Sequence, residues 1–372
     1  MNVIIAAAGT GGHINPGIAI ANKIKEKDKN ANITFIGTTR GLENDLVPRA
    51  GYKLKTIEAY GFSKKISLEN FQNIYKTFRS KKDIIKYIEE FKPNVVIGTG
   101  GYICVPVFSA ARAKNIPIVI HESNAFPGKA TKMFAKKADR VLVGFEDAKK
   151  RMKNMRNIIV TGNPTKIQKI DISLNRKKQL KEELGLKEEL PVVLVFGGSQ
   201  GAQAINESFI GIIEKKLNTE FQIIWSTGPK QYDLIKEDLN KRNININNIK
   251  NVKIVPYIYN MEEILNLSDL VVCRSGAMTI TEICIVGKPA IFIPFPYAAE
   301  NHQEYNARVL EKVGAAKIIL NSELSTQRML EEIKEIILNK KELHEMGILA
   351  RNLAPFNVED KIYREIMEVA KK

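Results

Sequence analysis

The sequence predicts an α/β protein built from two Rossmann-like domains, each a doubly wound parallel sheet. Its 372 residues exceed what one hydrophobic core usually holds, which favours two domains. Short apolar runs alternate with amphipathic stretches, a pattern typical of β-α-β units. Two glycine-rich loops, at residues 9–17 and 197–201, each follow an apolar run early in one half of the chain. The order strand, glycine-rich turn and helix is therefore predicted twice.

The first half contains five apolar runs that predict strands, at residues 3–8, 33–36, 95–97, 118–120 and 141–143. Helical patterns at residues 17–25 and 68–91 lie between some of these strands. We predict a first domain over residues 1–163, ending near the Asn163-Pro164 pair.

The second half repeats the scheme, with predicted strands at residues 192–196, 222–225, 252–255, 270–273 and 290–293. The charged stretch 166–189 predicts a connector with a solvated helix. Residues 330–338 and 341–353 predict the last helices of a second domain that covers residues 164–354. Within the final segment 355–372, residues 358–369 form an amphipathic pattern with no sheet of their own. We expect this helix to return to the first domain.

Composition limits the possible partners and the compartment. Lys and Arg number 57 against 41 Asp and Glu, so the net charge is +16 and anionic partners are expected. Phosphates, nucleic acid and an acidic membrane face all satisfy that expectation. Three cysteines without C-x-x-C spacing indicate reduced thiols in a cytoplasmic protein. The apolar run at the N-terminus lacks the basic n-region of a signal peptide, so export is not expected. No apolar run approaches the roughly 18 residues of a spanning helix, so a transmembrane segment is not expected either.

Each glycine-rich loop predicts an anion site, because glycine leaves backbone N–H groups bare at the positive end of a helix. His13 makes the first loop unusual, since holding phosphate alone needs no titratable imidazole. A third glycine-rich turn, at residues 98–102, is expected on the same edge of the sheet. It suits either a second anionic group or tight packing of strand against helix.

Two common nucleotide-binding patterns are excluded. The dinucleotide fingerprint G-x-G-x-x-G requires glycine at position 14, where Ile14 stands, and an acidic residue at the end of the second strand. Residues 37–40, Gly-Thr-Thr-Arg, occupy that second place. A P-loop is excluded because neither loop contains Gly-Lys followed by Ser or Thr.

A further segment, residues 274–282, follows the predicted strand 270–273 and begins a helix. The backbone N–H groups of Ala277, Met278 and Thr279 would face a pyrophosphate there. Glu282 has the reach to accept hydrogen bonds from a ribose diol. It equally suits an ordinary solvated glutamate in the first turn of a helix.

Taken in order, the motifs resemble those of the MurG family, the N-acetylglucosaminyltransferases that convert lipid I to lipid II in peptidoglycan synthesis. The resemblance runs across the whole chain, through residues 9–13, 100–102, 121–124, 161–164, 197–201, 274–277 with Glu282, and 301–303 with Asn306 and Ala307. It implies a GT-B fold, in which two Rossmann-like domains face a cleft. The C-terminal domain would hold UDP-GlcNAc and the N-terminal domain the lipid-linked acceptor.

The resemblance also implies which residues hold the substrates. Donor contacts would come from Thr10, Gly11, Gly12, Asn124, Lys166, Ser199, Ile258, Arg274, Ala277, Met278, Thr279, Glu282 and Gln303. Acceptor contacts would come from Gly100, Gly101, Tyr102 and His121. Lys166 stands where the family often has arginine, so it cannot supply a planar, bidentate contact. His302 stands where some relatives have glutamine.

Such a reaction inverts the anomeric centre and needs a base for the acceptor C4 hydroxyl. We assign that role to His13, whose ordinary pKa of about 6.5 leaves it largely neutral at pH 7. The alternative for His13 is a hydrogen-bond donor to phosphate or a loop strut, and Glu122 is the second candidate base. Helix N-termini with Arg274 or Lys166 would meet the charge of the leaving UDP. With no D-x-D motif and no Cys/His cluster, we expect neither a metal nor a cofactor.

A lipid-linked acceptor requires contact with a bilayer. Residues 60–87 interleave aromatic and aliphatic side chains with cations, which favours an interfacial segment attracted to anionic lipid. We expect Phe62 and Ile66 to contact lipid beside Lys64 and Lys65, on the cytoplasmic face of the membrane. The aromatic and aliphatic side chains of residues 68–78 would equally well form the buried face of an ordinary core helix.

Other partners follow from this interpretation. Contacts with the cell-wall synthesis machinery are expected. A competing enzyme class is another GT-B reaction, such as galactosyl transfer or epimerisation of a UDP-sugar. A nucleic-acid binder is motivated only by the net charge, and without a recognised motif no nucleic-acid partner is expected.

Overall fold

The structure is a computed structural model that describes residues 1–60, 68–153, 155–198, 201–246 and 249–371, with the backbone alone for residues 68–76 and Phe78. The chain forms two compact units. Unit 1 consists of Met1–Lys166 with Pro355–Lys372, and unit 2 consists of Ile167–Ala354. The predicted boundary was Asn163.

Unit 1 contains a parallel sheet in the order β3-β2-β1-β4-β5-β6-β7. Its strands are β1 (Asn2–Ala7), β2 (Asn32–Thr38), β3 (Lys53–Ile57), β4 (Val95–Gly100), β5 (Ile118–Glu122), β6 (Arg140–Val143) and β7 (Ile158–Val160). Its helices include α1 (Gly11–Lys27), α2 (Glu43–Arg49), α3 (Leu68–Phe91), α4 (Cys104–Ala113), α5 (Lys129–Phe134) and α6 (Glu146–Arg151). The central strands are apolar along their length because helices cover both faces of the sheet.

Unit 2 repeats this architecture with the strand order β10-β9-β8-β11-β12-β13. The strands are β8 (Val192–Phe196), β9 (Gln222–Ser226), β10 (Val252–Val255), β11 (Leu270–Cys273), β12 (Ala290–Phe292) and β13 (Ala316–Ile318). The helices are α7 (Leu174–Glu183), α8 (Gln203–Glu214), α9 (Pro229–Lys241), α10 (Met261–Leu267), α11 (Ala277–Val286), α12 (His302–Glu311), α13 (Thr326–Leu338) and α14 (Lys340–Asn352). As predicted, the charged connector contains a helix, α7, capped by the Ser173 hydroxyl.

The last helix, α15 (Val358–Ala370), packs on unit 1, as the amphipathic pattern predicted. Val358, Ile362, Ile366 and Val369 belong to the same buried cluster as Val3 and Ile5, and α15 packs on α1 and on β4, β5 and β6. Ion pairs join Lys23 to Asp360 at 2.9 Å and Arg140 to Glu365 at 3.0 Å. The four apolar residues recur every three or four positions along α15, so they form one stripe that faces the sheet.

Three strands were missed, and both α1 and α13 begin earlier than predicted. β3 and β13 were missed because each is a short strand of mixed polarity, and an apolar-run criterion does not find such strands. β7 was missed although its three residues are apolar. α1 begins at Gly11 and not at residue 17, so Gly11, Gly12 and His13 lie in its first turn. The buried residues of α1 begin at Ile14, so the two glycines extend the helix by its first turn in spite of their low helix propensity. Within the described residues, no helix combines the length and apolar character needed to cross a bilayer.

Candidate active site

The sequence motifs gather at the carboxyl edge of each sheet. In unit 1 the strand order reverses between β1 and β4, and in unit 2 it reverses between β8 and β11. Ligands of open parallel sheets bind beside such reversal points, outside the carboxyl ends of the strands. The glycine-rich loops follow β1, β4 and β8, and the 274–276 segment follows β11. Each unit thus presents a candidate site of its own.

In unit 1 the imidazole of His13 is anchored by its own loop. Its Nδ1 lies 3.1 Å from the carbonyl oxygen of Ala8. A carbonyl only accepts hydrogen bonds, so Nδ1 carries the proton in the neutral ring. The lone pair is then on Nε2, the nitrogen able to accept a proton. Thr10, the N-cap residue of α1, and Gly12 are exposed, while Gly11 and His13 are half-buried.

The end of β4 accommodates this imidazole. The register of β1 against β4 shifts after Ala6. Ala6 pairs with Gly98 and the next residue of β1 pairs with Gly100, so Thr99 is left out of the pairing. The Thr99 hydroxyl donates to the carbonyl of His13 at 2.7 Å. Gly100 has φ +123°, and a Cβ there would collide with the ring and lie 2.9 Å from Nε2. The glycines of this turn therefore make room for the titratable imidazole of His13. This agrees with the tight-packing alternative for the turn.

Glu43 is a functional candidate that the sequence analysis missed. Its side chain is buried at the start of α2, where Oε2 accepts from the Gly9 N–H at 3.0 Å. Oε1 accepts from the Thr38 N–H and hydroxyl at 2.8 and 2.7 Å. Burial would raise the pKa of Glu43, but the hydrogen bonds from Gly9 and Thr38 hold that pKa below its usual range. The only sequence signal was an acidic residue soon after the glycine-containing end of β2.

This carboxylate also changes the interpretation of the first loop. The Gly9 N–H is donated to Glu43, so it is not the bare anion donor that the sequence analysis expected. Glu43 does not serve as a ribose acceptor either, because it is buried and hydrogen-bonded to protein. The exclusion of a dinucleotide site thus stands.

Glu122, the second candidate base, organises the loop after β5. Its oxygens accept from the Asn124 N–H and side-chain amide at 3.0 and 3.1 Å. They also accept from the Gly128 N–H at 2.9 Å and the Thr131 hydroxyl at 2.6 Å. Only 6% of Glu122 is exposed. These four donors favour a loop-ordering carboxylate over a base.

His121 lies beneath the surface of unit 1. It is 1% exposed, with Nε2 3.3 Å from the Gly162 carbonyl and Nδ1 3.4 Å from the Ser123 hydroxyl. Burial lowers the pKa of His121, which keeps the ring neutral. This position argues against the expected direct contact with an acceptor. Tyr102, by contrast, is half-buried next to Gly100 and Gly101.

In unit 2 a buried polar network supports the loop between β8 and α8. Asn206 accepts from the indole N–H of Trp225 at 3.0 Å and donates to the Thr227 carbonyl at 3.1 Å. It also donates to Gln231 of α9. Gly201 approaches Thr227 so closely that a Cβ would lie 2.5 Å from its carbonyl oxygen. Gly201, the last residue of the glycine-rich segment, therefore lies close to Thr227 and to Gln231 of α9.

The N-terminus of α11 is the candidate diphosphate site. Gly276 is the N-cap residue and supplies no side-chain hydrogen bond to the first turn. Ala277 is buried, while Met278, Thr279 and Glu282 are half-buried. The Ser275 hydroxyl donates to the Gln303 carbonyl at 2.9 Å, and the Gln303 side-chain oxygen accepts from the Phe295 N–H at 2.9 Å. These bonds join the loops that follow β11 and β12.

Arg274 is partly anchored within unit 2. Its Nη1 donates to the carbonyls of Ile293 and Pro294 and to the side-chain oxygen of Asn321, at 2.9 to 3.1 Å. Burial lowers the pKa of Arg274 to about 10, so its charge persists at neutral pH. That charge stays at the carboxyl edge although Nη1 already has protein partners.

Other predicted residues lie apart or outside the described residues. Ile258 is buried after β10 between exposed Tyr257 and Tyr259, and Lys166 is exposed at the end of the first segment of unit 1. Ser199, Phe62, Lys64, Lys65 and Ile66 fall outside the described residues. Within the described part of the chain, no group of three or more His, Cys, Asp or Glu side chains is placed to hold a metal ion.

Comparison with known proteins defines the class. The model of the glycosyltransferase family 28 N-terminal domain matches residues 3–143, and that of the C-terminal domain matches residues 192–357. The chain is therefore a glycosyltransferase of family 28. Within this class it belongs to the MurG family, whose members are UDP-N-acetylglucosamine–N-acetylmuramyl-(pentapeptide) pyrophosphoryl-undecaprenol N-acetylglucosamine transferases.

Individual relatives support that assignment. The transferase of Thermoanaerobacter sp. (strain X514) is 41% identical over 369 residues, covering 99% of this chain and 100% of its own. That of Ruminiclostridium cellulolyticum is 42% identical over 376 residues, with the same coverage. The crystal structure of Acinetobacter baumannii MurG matches with a TM-score of 0.77 at 26% identity, covering 99% of each chain. The predicted GT-B fold class and family are thus confirmed.

One alternative from the sequence also has a structural counterpart. A UDP-GlcNAc 2-epimerase from Neisseria meningitidis, bound to UDP-GlcNAc, matches with a TM-score of 0.63 and covers 99% of this chain. At 15% identity that likeness reflects a shared fold alone.

Proposed function

We propose that this enzyme transfers GlcNAc from UDP-GlcNAc to the C4 hydroxyl of MurNAc in undecaprenyl-pyrophosphoryl-MurNAc-pentapeptide, with inversion. The observation that carries the proposal is the identity of about two residues in five, over the full length, to transferases named for these substrates. The reaction would convert lipid I to lipid II in peptidoglycan synthesis.

Unit 2 would hold the donor. The uncapped first turn of α11 presents the N–H groups of Ala277, Met278 and Thr279, which suit a diphosphate. Glu282, one turn further along, would accept from the ribose hydroxyls, and the backbone beside Ile258 would contact the uracil. The Gln303 side-chain oxygen is occupied by the Phe295 N–H, so its contact with the sugar would come from the amide nitrogen.

Unit 1 would supply the acceptor site and the base. The Nδ1–H of His13 donates to the Ala8 carbonyl, so Nε2 carries the lone pair that would take the proton from the acceptor hydroxyl. The oxygen of that hydroxyl would then attack the anomeric carbon while UDP departs with the electron pair of the broken C–O bond. The Arg274 charge and the α11 N-terminus would stabilise the departing diphosphate.

We further propose that the enzyme works on the cytoplasmic face of the cell membrane as a peripheral protein. The net charge of +16 favours an anionic lipid surface, and the acceptor carries a lipid chain by the same proposal. Contacts with the cell-wall synthesis machinery belong to this proposal as well.

The test of the function uses the full chain, UDP-GlcNAc labelled in the sugar and a short-chain lipid I analogue. We expect label in the disaccharide product and little competition from UDP-galactose. His13→Ala should lower kcat by about 100-fold or more, because positioned general bases contribute at least that much. His344→Ala, which removes an exposed imidazole on α14, is the control and should retain wild-type rates.

Two outcomes would contradict separate parts of the proposal. No labelled disaccharide from folded enzyme would exclude the transfer itself. Transfer by His13→Ala within a few-fold of wild type would exclude His13 as the base but leave the transfer in place.

A further inference from the structure

A single peptide unit joins His13 to the buried carboxylate of Glu43. The Ala8 carbonyl accepts from Nδ1 of His13 at 3.1 Å, and the Gly9 N–H donates to Oε2 of Glu43 at 3.0 Å. That carbonyl and that N–H belong to the same peptide bond. A trans peptide directs them to opposite sides of the chain. Imidazole, peptide and carboxylate therefore form one continuous chain of hydrogen bonds.

The carboxylate at the far end of this chain is ionised and held in place. Glu43 is fully buried, and its other oxygen receives two hydrogen bonds from Thr38. Burial opposes its charge, but hydrogen bonds from Gly9 and Thr38 outweigh that effect and keep the pKa low. Any side chain at Gly41 would overlap the carboxylate, so the chain passes close by. A fixed negative charge thus lies behind the loop that carries His13.

We propose that Glu43 is a positioning residue that acts on His13 through the peptide unit between Ala8 and Gly9. This inference rests on the proposed role of His13 as the base. A carboxylate that accepts from an amide N–H makes the carbonyl of the same peptide a stronger acceptor, because hydrogen bonds in series polarise one another. The arrangement is a carboxylate–histidine pair with a peptide inserted between its members.

Two consequences follow for the proton transfer. The stronger bond to Ala8 fixes the tautomer with the lone pair on Nε2. When Nε2 takes the proton of the acceptor hydroxyl, the Nδ1–H stays on the ring and the imidazolium is stabilised by the polarised carbonyl. Glu43 stays ionised throughout and exchanges no proton.

Among the residues that the structure describes, three other ionisable groups lie near the His13 turn: Cys104, Glu122 and Tyr102. The Cys104 thiol of α4 donates to the Gly100 carbonyl beside the ring, and burial raises the pKa of Cys104 to about 12, so it stays neutral. The Glu122 carboxylate of β5 acts electrostatically on Cys104 but is ordered by its own loop. The Tyr102 phenol lies in the same turn as Gly100. Of the two carboxylates, Glu43 is the one joined to His13 through the Ala8–Gly9 peptide.

The test measures the pKa and tautomer of His13 by NMR of the protein with ¹⁵N-labelled histidine. The chain has four histidines, so His13→Ala assigns the signal. In Glu43→Gln the pKa of His13 should fall by roughly half to one and a half pH units, since a fixed negative charge about two hydrogen bonds away is lost. The acid limb of kcat/KM should move to lower pH by the same amount, with kcat reduced and the KM for UDP-GlcNAc little changed.

Two control variants separate this effect from loss of structure. Asp45→Asn makes the same charge change on an exposed site of α2 and should leave the His13 titration unchanged. Thr38→Val removes one hydrogen bond to the carboxylate but keeps its charge, so the pKa of His13 should stay or rise. A merely structural Glu43 would give Thr38→Val and Glu43→Gln similar effects.

The inference is overturned if His13 has its wild-type pKa in folded Glu43→Gln. It is also overturned if Thr38→Val lowers the pKa of His13 as much as Glu43→Gln does. This readout requires no turnover. An active His13→Ala variant would therefore refute the base role while leaving the measured link between Glu43 and His13 intact.

Discussion

At the scale of single residues, His13 is oriented by its own loop together with two groups far from it in the sequence, Glu43 and Gly100. Its ring lies against Gly100, its Nδ1 bonds to Ala8, and Glu43 holds the other side of the Ala8–Gly9 peptide. Each contact depends on a neighbouring strand of the sheet. The position of the proposed base is thus a property of the β1, β2 and β4 ends together.

Gly100→Ala should reduce catalysis by at least about tenfold, because its Cβ would displace the His13 ring and misplacement of a catalytic group by 1 Å can cost 100-fold. Forcing alanine to φ +123° should also cost about 1–3 kcal/mol of stability. Steady-state rates and urea unfolding measure the two effects.

Gly51→Ala is the matched control. Gly51 also has positive φ, +83°, but a Cβ there meets nothing within 4 Å. This variant should lose a similar amount of stability and keep its kcat. Equal kcat for the two variants would show that the space beside His13 is not needed.

At the scale of elements, each unit places a glycine-rich turn between a buried strand and a helix, but supports it differently. In unit 1 the support is the ionised Glu43 of α2. In unit 2 it is the neutral network of Asn206 with Trp225, Thr227 and Gln231. This neutral network adds no negative charge beside the N-terminus of α8, and the dipole of that helix favours an anionic ligand there.

Asn206→Leu should destabilise the protein by about 2–4 kcal/mol, because it leaves the buried Trp225 N–H without its acceptor. The KM for UDP-GlcNAc should rise, since α8, which follows the glycine-rich segment, loses its hydrogen bonds to Thr227 and Gln231. Urea unfolding and initial rates give both quantities. Gln203→Leu, exposed one turn earlier on α8, should change stability by no more than about 0.5 kcal/mol; equal losses in the two variants would contradict the role of the network.

At the scale of the whole molecule, the chain builds unit 1, continues through unit 2 and returns to unit 1 with α15. Four buried apolar residues of α15 complete the core on one face of the unit 1 sheet, where the helix packs on β4, β5 and β6. The net charge of +16, counted over the whole chain, favours the proposed binding to an anionic membrane.

The full chain should float with vesicles that contain phosphatidylglycerol at low salt and detach at high salt, because screening weakens its attraction to anionic lipid. Phosphatidylcholine vesicles should bind it much less. The double change Lys64→Ser with Lys65→Ser should weaken binding severalfold. No flotation of folded protein on anionic vesicles would contradict the proposed membrane surface.

The control for net charge is Lys340→Ser with Lys341→Ser, which removes the same charge from exposed positions at the start of α14. It should float almost as wild type does. An equal loss in both double variants would show that overall charge, and not the segment around Phe62 and Ile66, attracts the lipid.

Much of the fold could be predicted because buried strands carry a strong pattern. The bounds of β8, β10 and β11 and of α3 agree with the prediction residue for residue. The edge strand β3 was missed since its side chains are only partly buried, so no apolar run marks it. The early start of α1 was missed because glycine in a helix contradicts local propensity.

The location of the candidate site was predictable where a glycine-containing segment directly follows a predicted strand, as at residues 274–276, but the helical backbone of residues 11–13 was not. Glu43 was not predictable either, because nothing in a sequence shows that a helix on β2 turns a carboxylate under the loop after β1. The assignments of Glu122 and His121 likewise depended on burial and on hydrogen-bond partners. Those are consequences of packing.

The amino-acid sequence by itself determined the two-fold α/β plan, the family and the glycine-rich turns, since these depend on local patterns of hydrophobicity and on glycine. Only the tertiary structure decided which nitrogen of His13 carries the proton, that the Gly9 N–H is donated to Glu43, and that Glu122 and His121 are turned inward. These facts depend on atoms brought together from separate strands, and hydrogen bonds form only at the distances that packing creates.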